Sequence, residues 1–142
     1  MNRITAIALL TSAAILGTGS ALAEAHAVKA TMQFDFTVAN KLLPPGTYTI
    51  LKVTDDVIEI QNRDKNVAVL APAYFDSMQS GNGGKLVFDK YDNQYFLREI
   101  LVDDAGLNVY LPPTKSEKRA HTSEAMARSQ IHSQSQVPAS AM

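Results

Sequence analysis

The sequence contains no cysteine, no tryptophan and only three histidines. Without cysteine there are no disulfides, no thiolate metal sites and no cysteine nucleophile. The histidines are His26, His121 and His132, and none falls in a segment that reads as strand. No catalytic residue, metal ligand or cofactor is therefore assigned within the β region. An excess of charge of one sign is also lacking: 13 basic against 14 acidic residues leave a net charge of −1. That balance argues against nucleic acid as a bulk electrostatic partner. There is no G-x-S-x-G elbow for a serine nucleophile. The glycines of Gly81-Asn82-Gly83-Gly84 lack the following helix and lysine that a phosphate cradle requires. No apolar run is long enough to span a bilayer as a helix, so no transmembrane anchor is expected.

The N-terminus is the first positive signal. Arg3 supplies a cationic start, residues 4–16 are mostly apolar, and Gly17, Gly19 and Ser20 break the run. Ala21-Leu22-Ala23 is then a small-x-small cleavage site. Residues 1–23 read as an export signal cut after Ala23, with Ala27 as the alternative, and the product as periplasmic or extracellular. Removal of 23 from 142 residues leaves 119, enough for one core and too few for two ordinary domains.

Residues 28–111 alternate between short strand patterns and turn signals. Met32, Phe34, Phe36 and Val38 alternate with polar neighbours, the period of a half-buried strand. Leu43-Pro44-Pro45-Gly46 is a turn, followed by the β-branched and aromatic run 47–54. Further strands are expected at 57–61, 67–71, 85–91, 94–102 and 107–111. Asp92-Asn93 forms a tight hairpin between the fifth and sixth of these seven. Strands without intervening helices predict an all-β fold: an antiparallel β-sandwich or partly open barrel of about seven short strands.

The composition changes after Pro112-Pro113. Thr114 and Glu117 have the spacing of a capping box, in which each side chain takes a backbone N–H of the other. A polar C-terminal α-helix is expected over 114–129, with a disordered tail over 130–142. Residues 28–111 carry 8 basic and 11 acidic side chains, while 115–128 carry four basic and two acidic ones. The chain thus joins an acidic β-domain to a mildly basic helix.

Few residues qualify as a site. Tyr91 and Tyr95 flank the Asp92-Asn93 hairpin, where they would form a surface binding face. Glu59, Arg98 and Glu99 are the participants a carboxylate-based enzyme would use. Asp103, Asp104 and Asn108 have chemistry suited to calcium, but their spacing matches no defined loop. Asp55-Asp56 and Asp103-Asp104 are better read as turn caps. A small-ligand carrier would need a cavity lined by Met32, Phe34, Phe36, Phe88 and Leu97.

Two resemblances attach to named residues. Phe34-Asp35-Phe36-Thr37-Val38, Leu43-Pro44-Pro45-Gly46-Thr47-Tyr48, Lys85-Leu86-Val87-Phe88, Tyr95-Phe96-Leu97 and Leu111-Pro112-Pro113-Thr114 with Glu117 together resemble small exported proteins of acidobacterial-type soil bacteria. That resemblance covers about residues 32–118 and implies export and a β-fold, with no activity attached. The local stretch from Leu43 to Ile50 is similar to the L-P-x-G-x-Y strand of transthyretin-like and collagen-adhesin B-type sandwich domains. In the adhesin type a glutamate four residues after the tyrosine catalyses an isopeptide crosslink; here that position is Lys52. The expectation is an exported, non-enzymatic β-domain with a binding or structural role, whose partner is an envelope component or a small ligand.

Overall fold

The computed structural model describes residues 3–6, 10–11, 27–76 and 84–134. Its strands are β1 (Arg3–Ala6), β2 (Leu10–Thr11), β3 (Ala27–Met32), β4 (Phe36–Val38), β5 (Lys41–Leu43), β6 (Gly46–Lys52), β7 (Val57–Asn62), β8 (Val67–Pro72), β9 (Tyr74–Phe75), β10 (Lys85–Tyr91), β11 (Gln94–Val102) and β12 (Leu107–Tyr110). A short 3-10 turn (Asp103–Ala105) links β11 to β12, and an α-helix, α1 (Lys115–Gln134), follows the strands. The fold is all-β with a C-terminal helix, as the alternation implies, though built from more and shorter strands than seven.

One sheet has the order β2-β3-β6-β7-β8, antiparallel throughout. The other runs β1-β10-β11-β12-β9, with β4 lying parallel to β11 at Phe96↔Thr37 and β5 paired to β4. Both sheets curl around a single core. Val28, Ala30 and Met32 of β3 and Ile58 and Ile60 of β7 face Phe36, Leu86, Phe88 and Ile100 of the other sheet. Each of these side chains larger than alanine contributes roughly 1.5–3 kcal/mol when fully buried, which is how a chain without disulfides holds together.

The expected strand over 32–38 is in fact two. The chain bends at 33–35 and passes from the first sheet to the second. Met32, Phe36 and Val38 are buried and Phe34 is partly so, because both halves turn their inner face to the same core. Hydrophobic alternation records the face and is blind to the change of sheet.

The return crossing, from β5 to β6, is the Pro44-Pro45-Gly46 turn. Tyr48 is fully buried, and its hydroxyl donates to the Pro44 carbonyl at 2.5 Å. This is the geometry of a tyrosine corner, a side chain bolted to backbone just upstream. Gly46 has φ +156°, and a Cβ there would lie 2.6 Å from Nδ2 of the buried Asn62. Burial pushes the Tyr48 phenol above its usual range; a hydrogen bond with Asn62 opposes this and the charge of Asp35 adds to it.

Pro72 ends β8 at the sheet edge, where a missing N–H costs no ladder bond. The β10–β11 hairpin has the expected two-residue loop: Tyr91 pairs with Gln94, and Asp92 adopts φ 56°. Helix α1 runs past Ser129 to Gln134, since no glycine or proline interrupts the sequence before Pro138. Residues 135–142, the rest of the expected tail, lie outside the described residues.

Candidate functional site

The polar centre of the domain is Arg98, only 3 % exposed although it is charged. Its position comes from a bulge. Phe88 pairs with Leu97 and Val87 with Glu99, so Arg98 is the extra residue in β11. Leu97 faces the core, so alternation puts Arg98 on the outer face of the sheet, and the bulge then returns Ile100 to the core side.

Three groups meet the guanidinium there. Nε donates to Asp89 Oδ2 at 2.8 Å, Nη1 donates to the Leu111 carbonyl at 2.8 Å, and Nη2 donates to Glu117 Oε1. The Tyr110 ring lies 5.5 Å from the guanidinium carbon, within the range of a cation–π contact. Glu117 is 4 % exposed and belongs to the first turn of α1. One cation and two carboxylates therefore share a buried site that joins β10, β11 and the helix.

Here the capping-box expectation needs correcting. Thr114 does its part, since Oγ1 accepts the Glu117 N–H at 3.3 Å. The Glu117 carboxylate turns instead to Arg98, because a buried guanidinium is a stronger partner than a backbone amide. The Ser116 N–H is taken by Asn40 Oδ1 at 3.1 Å, from the β4–β5 turn.

Tyr91 and Tyr95 do not form a common face. Lys90↔Tyr95 and Tyr91↔Gln94 are successive cross-strand pairs, which point to opposite sides of the sheet. The Tyr95 ring lies on Phe34 with centroids 4.3 Å apart. Tyr91 meets Phe96 at 5.9 Å and His121 of α1 at 5.3 Å. Both tyrosines are half-buried, spent on packing the sheet and seating the helix.

The trio offered for carboxylate chemistry is also divided. Glu59 is in β7, paired with Leu51 and Leu70 in the other sheet from Arg98. Glu99 borders a surface hollow of about 230 Å³ with Asp76, Asn108 and Tyr110. Lys52, at the adhesin glutamate position, pairs with Asp55 at 2.8 Å and holds that exposed carboxyl below the usual range. Asn108 Nδ2 donates to Asp103 Oδ1 at 2.8 Å, a side-chain contact across the turn. Among the described residues no group of three or more acidic or histidine side chains is placed to hold a metal ion. The cleavage residues Ala21 and Ala23, and His26, lie outside the described residues.

The side chains named for a carrier cavity pack on one another. Phe36 meets Tyr48 at 5.1 Å and Phe88 at 6.0 Å, and Phe34 meets Phe88 at 5.2 Å. Met32 and Leu97 belong to the same buried cluster.

What sequence reasoning missed is the Arg98–Asp89–Glu117 cluster. Its trace was present: Asp89 and Arg98 are opposite charges that fall inside the two adjacent strands β10 and β11. A charged residue in such a strand is affordable only with a partner, and the sequence does not say which partner. Compared with protein-family models, curated proteins and solved structures, the chain matches none.

Proposed function

We propose that this chain is exported and acts in the periplasm or cell envelope as a non-enzymatic β-domain with a binding or structural role. The observation that supports this reading most is the state of Arg98. Its guanidinium is committed on three sides to Asp89, Leu111 and Glu117. The group with the most chemical potential in the domain is used to attach a helix. The apolar interior supports the same reading, since the aromatic side chains there contact one another. No helix among the described residues is long and apolar enough to cross a membrane.

Expression of the full chain with its own N-terminus in an exporting bacterial host tests the proposal. The expected product is a periplasmic or secreted protein whose intact mass has lost residues 1–23. A full-mass chain retained in the cytoplasm would overturn it.

A further inference from the structure

Strand β10 has β11 on one side, and among the described residues only β1 on the other. The register is Arg3↔Asp89, Ile4↔Phe88, Thr5↔Val87 and Ala6↔Leu86. β1 lies inside the segment proposed as a removable signal, and the inference rests on that proposal. Processing strips the backbone partner from residues 86–89. A strand edge uncovered in this way is a template for another strand.

The seated segment shows what fits. From Arg3 to Ala6 it reads cation, branched aliphatic, β-branched, small apolar. β10 carries a closely related series itself: Lys85, Leu86, Val87, Phe88. Two β10 strands joined antiparallel about Val87 set Lys85 opposite the second copy's Asp89. The same register sets Leu86 opposite Phe88 and Val87 opposite Val87. Lys85 then stands where Arg3 stood, and Leu86 where Ile4 stood. The pairing places opposite charges together twice and extends the apolar inner face formed by buried Leu86 and Phe88. The other sheet offers no equivalent. β2 covers β3 over just two register pairs, and Ala27–Met32 contains Lys29 with no acidic residue to meet it.

We infer that the processed chain forms a two-fold dimer through the β10 edge, and that β1 blocks this edge in the full chain. The occupant is a second copy of the same chain. A strand-to-strand contact of this length buries little area, so the dissociation constant is roughly micromolar.

Sedimentation from about 1 to about 200 µM spans that range and is run on both the full and the processed chain. The full chain is expected to stay monomeric and the processed chain to dimerise. Lys85→Glu faces Asp89 with a like charge and weakens the dimer about tenfold or more. Because the chain has no cysteine, Val87→Cys places a single thiol on the two-fold axis. Facing Cα atoms there are about 4.5–5.5 Å apart, within disulfide reach, so oxidation crosslinks the processed chain and spares the full one. The full chain carrying both Ile4→Pro and Thr5→Pro cannot seat β1 and is expected to dimerise without processing. A processed chain that stays monomeric and uncrosslinked overturns the inference, as does a full chain that dimerises equally well. Retention of residues 1–23 in the exporting host defeats the export reading alone, since the double-proline chain still decides the pairing.

Discussion

Arg98 holds Leu111 from both directions: the Leu111 N–H donates to the Arg98 carbonyl at 2.7 Å, and Arg98 Nη1 donates to the Leu111 carbonyl at 2.8 Å. The residue just past β12 is thus fixed to the bulge, and α1 begins four residues later at Lys115. The same guanidinium then takes Glu117 of the helix.

Arg98→Met leaves Asp89 and Glu117 facing each other without a cation. The expected loss of stability is about 3–5 kcal/mol, read from urea unfolding. Glu117→Gln keeps the shape and loses one charged bond, an expected cost of about 1.5–3 kcal/mol. In that variant the helical far-UV signal is expected to fall before the sheet signal. Coincident loss of both would mean that the helix does not depend on this contact.

Gly46→Ala is expected to destabilise by roughly 2 kcal/mol, because φ +156° suits glycine and the new methyl meets Asn62. Ala at Pro45 serves as the control for composition. A Gly46→Ala midpoint equal to the wild-type value would show that the corner relaxes without strain.

The β4–β5 hairpin holds an imperfection. Val38 pairs with Lys41, and both loop residues have positive φ, 48° at Ala39 and 65° at Asn40. Asparagine suits that region and alanine does not. Ala39→Gly is expected to stabilise by about 0.5–1 kcal/mol, seen as a rise in the denaturation midpoint.

Tyr48 makes the fold sensitive to alkali. Burial raises its phenol above the ordinary value of about 10. A group whose folded pKa is raised contributes stability that is fully present below its unfolded pKa and is lost as pH rises through the folded value. Stability is therefore expected to be insensitive to Tyr48 at neutral pH and to fall above about pH 10. Phenolate absorbance checks this, with one tyrosine ionising only together with unfolding. Tyr48→Phe removes that step and lowers neutral-pH stability by about 1 kcal/mol.

Legibility differed by the kind of signal. The ends of β10 and β11 could be read directly, because alternating apolar residues are bounded by glycine on one side and a turn on the other. The crossing at 33–35 could not, since inward-facing residues look alike in either sheet. Tyr91 and Tyr95 looked like a pair through sequence proximity, but Tyr95 pairs with Lys90, the neighbour of Tyr91, which sends the two to opposite faces. Arg98 and Glu117 were each visible, yet the pairing depends on a bulge at Arg98, opposite Val87 and Phe88, and on where the helix is seated. Contacts that depend on an inserted residue leave no periodic trace.

Past His121, every described side chain of α1 is exposed except half-buried Glu124. The helix is thus mounted at one end, and its last 13 residues, 122–134, extend about 20 Å from that mount. Such an arm amplifies angle into distance: a tilt of about 10° at the Arg98–Glu117 joint carries the far end roughly 3–4 Å sideways. The direction in which the far end of α1 points is set by its first two turns, where Ser116 meets Asn40, Glu117 meets Arg98 and His121 meets Tyr91.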